Sequence, residues 1–220
     1  MINPETNPET TRPKHKKTGL LNPRNMVIIA LLASIAFILT LEGVFRWRLP
    51  IFPGFLAMDV ADIPAVIGSV ALGPVAGVWI LGIRNILDVL VTGTASAGIG
   101  PLANFIFGCA YILPFAYIYN RFGRTTKGFV IGAAAGTLIS TITAALVNYY
   151  MLIPAFAYIF GGMDNVVGRG TEVNDNINSL FTLVLYAIIP FNLLKNALVS
   201  VGGLVIYKAF GPVMAVLAKK

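Results

Sequence analysis

The chain reads as an all-α integral membrane protein, with six transmembrane helices and an apolar lid loop between helices 1 and 2. Three observations point there. The hydrophobic share is 57%. The charged share is 11%, where a soluble domain carries about 25%. The apolar residues also fall into runs long enough to cross about 30 Å of hydrocarbon as helices, and mean hydropathy is +0.81. The net charge of +7 does not indicate nucleic acid, because the Lys and Arg residues gather near the N-terminus, in short loops and at the C-terminus rather than along one basic face.

The organisation is a disordered basic cytoplasmic tail over residues 1–25 followed by a single six-helix membrane domain over 26–220. The tail is rich in Asn, Thr, Pro and Lys and holds His15, the one histidine. No apolar run with a cleavage site precedes Met26, so no removable signal peptide is expected. The single cysteine, Cys109, sits in an apolar run, which excludes a disulfide framework and a cysteine metal cluster.

The first apolar segment is Met26 to Leu41, where Ala30, Ala33, Ser34 and Ala36 form a small-residue pattern that permits close helix approach. Val44 to Met58 is broken by Pro50, Pro53 and Gly54, so it cannot span, yet it is too apolar to be a freely solvated loop. It must lie against something, either lipid headgroups through Trp47 or a pocket. Asp62, with Pro64 just after it, predicts a capped helix start for a short helix from Ile63 to about Leu72.

Gly73-Pro74 restarts the chain, and Val75 to Val91 carries Arg84 and Asp88 at i and i+4, a spacing that predicts an ion pair within the helix. A small-residue loop, Thr92 to Gly100, leads to a fourth segment from Pro101 to Tyr119 that includes Asn104. The fifth runs from Phe129 to about Ile153, with Gly132 to Gly136 as a close-packing face and Asn148-Tyr149-Tyr150 near its end. Pro154 interrupts it. Gly161 to Asn178 reads as one long polar loop, and the sixth segment starts near Leu180. With six segments, Arg12, Lys14, Lys16, Lys17 and Arg24 share a side with Arg121, Arg124, Lys127 and the terminal lysines, which places both termini in the cytoplasm.

The sixth segment carries the chemistry. Within Leu180 to Val201 stand Asn192, Lys195 and Asn196, just after Pro190. An ammonium in hydrocarbon costs about 2.5 to 3.5 kcal/mol even on lenient scales, so it faces a cavity and a polar partner. Asn192 and Lys195 share a helix face. A ligand pocket is one reading; a lysine neutralised structurally by a carboxylate is the other. Elsewhere the sequence lacks a phosphate-binding Gly-rich loop, His-Glu-x-x-His and Cys-x-x-Cys, so ATP hydrolysis and metal catalysis are not expected and the protein is not read as an enzyme. What remains at membrane depth is Asn148, Asn192, Lys195, with Asn104 and Asn85, beside Phe55, Leu56, Met58, Tyr149 and Phe191. This set suits a flat, partly apolar ligand.

Taken together, Phe-Pro-Gly-Phe-Leu-Ala-Met-Asp (52–59), Asp-Ile-Pro-Ala-Val-Ile-Gly (62–68), Leu-Gly-Pro-Val-Ala-Gly (72–77), Arg-Asn-Ile-Leu (84–87), Ala-Asn-Phe (103–105), Asn-Tyr-Tyr-x-Leu-Ile-Pro (148–154) and Pro-Phe-Asn-Leu-Leu-Lys (190–195) resemble the S components of energy-coupling factor (ECF) vitamin transporters. Among these, the riboflavin-specific members are the most similar, over residues 26 to 210. The resemblance implies six membrane helices and a vitamin site near the extracellular side, covered by Val44 to Met58. It implies ligand contacts from Asn148, Asn192 and Lys195, with Leu56, Met58, Asn104 and Tyr149 around them. It implies a transmembrane T subunit docked on Ala30, Ala33, Ser34 and Ala36, and two ATPase subunits supplying energy in a bacterial cell membrane. Riboflavin is then the transported ligand and no cofactor is implied. The same fold could bind another vitamin such as pantothenate, whose carboxylate would suit Lys195. A stand-alone secondary transporter would need inverted repeats and midplane carboxylates, and no clear repeat is visible.

Overall fold

The computed structural model describes residues 22–42, 45–93 and 98–218, with side chains through Gly211. Most of the expected tail and the two terminal lysines lie outside the described residues. Helix α1, Pro23–Ile38, opens earlier than expected because Asn22 accepts the Arg24 N–H and Pro23 fills the first turn, where a missing N–H costs nothing. It is 16 residues long, about 24 Å at 1.5 Å per residue, short of the hydrocarbon thickness.

A two-residue hairpin comes next, β1 (Arg46–Trp47) antiparallel to β2 (Met58–Asp59), with Arg46 opposite Asp59 and Trp47 opposite Met58. The Pro- and Gly-broken residues between them fold back on the bundle: Phe52 and Met58 are buried with Phe191, and the rings of Phe52 and Phe191 meet edge to face at 5.3 Å. Trp47 is largely exposed.

Helix α2 (Ile63–Leu72) and α3 (Pro74–Thr92) form a tight pair reversed at Gly73, whose φ of +103° is open to glycine and strained for other residues. Two further helices, α4 (Ile99–Arg121) and α5 (Thr126–Val147), pack side by side along the small-residue face expected from the sequence. A Cβ on Gly132 would stand 2.7 Å from the Phe115 carbonyl oxygen, and one on Gly136 2.8 Å from that of Tyr111. The two backbones touch, so only hydrogen fits there.

Two prolines shape the C-terminal third of the chain. After α5 the backbone widens into a π-helical turn, Asn148–Leu152, before α6 (Ile153–Ile159). After α8 (Leu180–Leu183) a second π turn, Val184–Ile188, leads into α9 (Ile189–Ala218). Both turns end two residues before a proline. Pro154 and Pro190 lack an N–H and clash with the carbonyl four residues back. The preceding N–H groups therefore reach one residue further, Ile153 to the Asn148 oxygen and Ile189 to the Val184 oxygen. Neither proline ends its helix, and the π turns pack against each other.

Between them, half of the expected polar loop is a helix, α7 (Met163–Thr171). Its polar residues face outward while Val166, Val167 and Gly170 are buried against Ile177 and Leu183. Arg169 covers the Phe160 ring at 4.8 Å. Polarity concealed a short amphipathic helix.

Among the described residues, four helices are long and apolar enough to cross a membrane: α3, α4, α5 continued through α6, and α8 continued through most of α9. Helices α1 and α2 are apolar but shorter. The core divides into a large cluster joining α1, α2, α3, α4, α5 and α9 around Phe115 and Phe129, and a smaller one under α6, α7 and α8.

Candidate functional site

Where α4, the first π turn and α9 meet beneath the hairpin, they leave a cavity of about 100 Å³. The hairpin segment contributes Arg46, Phe55, Leu56 and Ala57, and Asp62 stands at its edge. Helix α4 contributes Ala103, Asn104 and Phe107. The π turn and α6 contribute Asn148, Leu152 and Phe156, and α9 contributes Phe191, Asn192, Lys195 and Asn196. Seven of the residues singled out from sequence thus share one cavity: Phe55, Leu56, Asn104, Asn148, Phe191, Asn192 and Lys195. Three do not line it. Asn85 donates to the Leu81 carbonyl on α3, away from the cavity. Met58 is buried with Phe52 and Phe191, which removes it from the cavity surface, and Tyr149 sits on the adjoining side of the π turn, its ring against Tyr150 at 4.9 Å.

The asparagines are fixed in a common way. Asn148 donates its amide N–H to the Ala144 carbonyl at 2.8 Å, and Asn192 to the Ile188 carbonyl at 2.8 Å. Each spends a donor on its own helix, and its side-chain oxygen makes no hydrogen bond among the described residues. That oxygen is an acceptor available to a ligand.

Lys195 has partners. Its Nζ lies 3.3 Å from Asp59 Oδ2 and 4.0 Å from Asp62 Oδ2. The plainer reading of the buried lysine, charge neutralisation by carboxylates, therefore holds as geometry, and the lysine lines the cavity as well. Asp59 is nearly inaccessible. Burial pushes its carboxyl up, but the charges of Lys195, Arg84 and Arg46 and the Ala61 N–H outweigh burial and hold it below the ordinary value of 3.8.

Two expectations are corrected by this network. Asp62 makes no capping bond to α2; its Oδ1 instead accepts from Arg84 Nη1 at 2.9 Å. Arg84 does not pair with Asp88. The i and i+4 spacing permits that pair, but the end of α2 brings Asp62 closer, and Asp88 accepts from Thr92 Oγ1 at 2.9 Å while its other oxygen lies 3.9 Å from Arg46. Three cations and three carboxylates alternate from the hairpin to α3 and α9.

The small residues of α1 divide. Ala33 and Ala36 are fully buried in the protein's own core, whereas Ala30 and Ser34 lie on the exposed face, with Ser34 Oγ donating to the Ala30 carbonyl at 2.9 Å.

Sequence reasoning did not select Arg46, Asp62, Leu152, Phe156 or Asn196 as site residues. Asn196 lies one turn beyond Asn192 and Phe156 two turns beyond Asn148, so helical spacing could have found both. Nothing in the sequence places Arg46 there.

Residues 24–218 match the family model for the substrate-specific component of ECF transporters. The chain belongs to that family. This S component is 28% identical to the riboflavin transporter RibU of Staphylococcus aureus over 88% of the chain and 93% of the relative. It is 31% identical to the riboflavin transporter FmnP of Bacillus subtilis over 81% of the chain and 87% of the relative. Among solved structures it is similar, with a TM-score of 0.68 and 27% identity over 87% of this chain and 97% of the other, to one described as the S component of a bacterial ECF transporter. The S component's relatives are transporters, not enzymes, and its long apolar helices are those of a membrane protein.

Proposed function

We propose that this S component binds riboflavin in the cavity between α4, the first π turn and α9, and hands it across the bacterial cell membrane with a T subunit and two ATPase subunits. The observation that carries the reading is the meeting of Asn148, Asn192 and Lys195 around one cavity, in a chain whose named relatives are riboflavin transporters. Asparagine oxygens and a lysine suit a ring system bearing both donors and acceptors, and Phe55, Phe107, Phe156 and Phe191 suit its flat apolar body.

Small-molecule sites commonly enclose about 300–1,000 Å³, so a ligand of flavin size needs the cavity to widen. The hairpin segment between α1 and α2 is the element to move: it covers the cavity through Phe55, Leu56 and Ala57 and is held to the helices by side chains. It acts as the lid, with Met58 and Tyr149 supporting the site from behind. The chain crosses the membrane six times, counting the shorter α1 and α2, with both termini in the cytoplasm; the basic residues of the α4–α5 loop support this orientation. The T subunit docks on Ala30 and Ser34 of α1.

A neutral vitamin suits the site better than pantothenate, because Lys195 already faces two carboxylates and Asp62 would repel a third. The test is calorimetric titration of the purified protein with a vitamin panel. Saturable riboflavin binding with no pantothenate signal is expected; pantothenate binding without riboflavin binding would overturn the assignment. Riboflavin uptake into vesicles should require the T and ATPase subunits, and uptake by the S component alone would point to a secondary transporter.

A further inference from the structure

We infer that Asn196 is a further ligand-contacting residue, presenting an amide N–H donor to an acceptor atom of the bound vitamin. The inference rests on the riboflavin reading of the same cavity.

Asn196 lines the cavity and is 6% exposed. Its amide nitrogen is buried without any hydrogen-bond partner among the described residues. The contrast with its neighbours is chemical. Asn148 and Asn192, like Asn85 on α3, turn the amide N–H back to the carbonyl four residues earlier, each at 2.8 Å. Asn196 does not, although the same carbonyl position is one turn behind it on α9. Its own backbone carbonyl is engaged, accepting from Ser200 Oγ at 2.7 Å. Ser200 Oγ also meets the Tyr111 hydroxyl at 2.8 Å, so the α9 backbone beside Asn196 is anchored to α4.

A buried donor left without an acceptor destabilises the empty protein, and the arrangement persists where a bound state satisfies it. Once the cavity widens to admit a ligand, its wall offers three kinds of group within about one turn of α9: an acceptor from Asn192, a cation from Lys195 and a neutral donor from Asn196. A flavin ring carries carbonyl oxygens and unprotonated ring nitrogens along one edge, which are the acceptors such a donor needs. An apolar ligand would leave Asn196 unsatisfied, so this residue discriminates in favour of heteroaromatic rings with acceptors at the rim.

Asn196→Leu, close in size and without polar atoms, tests this irrespective of how the amide is turned. Riboflavin titration of purified wild type and variant should show Kd raised at least tenfold in the variant. The ligand-free variant should melt at the same temperature as the wild type or higher, because an unsatisfied buried group has been removed, while the riboflavin-induced rise in Tm shrinks. A purely structural asparagine predicts the reverse: a lower ligand-free Tm with Kd unchanged in the folded protein. Asn196→Ala, which cannot overpack the site, repeats the measurement if the leucine variant is not recovered folded. An unchanged Kd in either variant overturns the inference and leaves the riboflavin reading standing. Wild type that fails to bind riboflavin overturns that reading and this inference with it.

Discussion

The same three helices, α4, α5 and α9, behave differently along their lengths. In one region Tyr111, Phe115 and Tyr119 of α4 stack in sequence, Phe129 of α5 meets Phe115 edge to face at 4.9 Å, and Tyr207 of α9 stacks on Phe129 at 5.1 Å. Gly132 and Gly136 bring the backbones of α4 and α5 into contact, leaving no space between those two helices. In the other region aromatic residues are joined by Asn104, Asn148, Asn192, Lys195 and Asn196, a π turn widens the chain, and a cavity opens. Close packing supplies stability in the first; in the second, polar groups that cannot all satisfy one another hold a space open. On the proposed reading, the first half stabilises the fold and the second binds the vitamin.

The largest effect should come from the packed half. Phe115→Ala removes a fully buried ring at the centre of the aromatic stack and should cost about 3–5 kcal/mol of stability. Riboflavin affinity of the protein that remains folded should be unchanged, as thermal denaturation in detergent and titration would show. A variant that lost affinity but kept its stability would break the division.

Arg84→Met sharpens the boundary, because Arg84 is 1% exposed and belongs to neither function cleanly. Leaving Asp62 buried without its 2.9 Å partner should cost about 3–5 kcal/mol. Introducing Asp62→Asn as well should recover most of that loss, since the uncompensated charge is then gone.

On the binding side, Lys195→Met should weaken riboflavin by about 2 kcal/mol, about thirtyfold in Kd. Stability should fall too, because Asp59 loses its nearest cation. The double variant with Asp59→Asn should regain stability but not affinity. Recovery of both would make Lys195 a structural residue only.

The smallest effect is on pH. Asp59 has its carboxyl held below 3.8, so the stability it contributes is fully present above that value and is lost as pH falls through its lowered native value. Melting temperature measured down the acid limb should show this loss in the wild type, and Asp59→Asn should lack it.

Much of this division was legible in the sequence. Prolines and glycines marked the helix breaks, Gly132 to Gly136 announced the close approach of α5 to α4, and Asn192 with Lys195 announced a polar site inside an apolar helix. The failures share a cause. Sequence proximity suggests that Asp62 caps α2 and that Arg84 pairs with Asp88, whereas the fold pairs Arg84 with Asp62, 22 positions away, and sets Asp88 near Arg46 of the hairpin. The polar surface of α7 concealed a helix whose buried face is only Val166, Val167 and Gly170. Ala33 and Ala36 resemble Ala30 and Ser34 in sequence, and only the direction of α1 against α3 separates the buried pair from the exposed one.

The central claim is tested most directly by titrating riboflavin into purified wild type and into the double variant Asn148→Leu, Asn192→Leu while monitoring quenching of tryptophan emission. Wild type should show saturable quenching, and the variant should bind at least tenfold more weakly while retaining its ligand-free melting temperature. Equal affinity in the two proteins would contradict the account, because the cavity between α4, the first π turn and α9 would then not be where the vitamin binds.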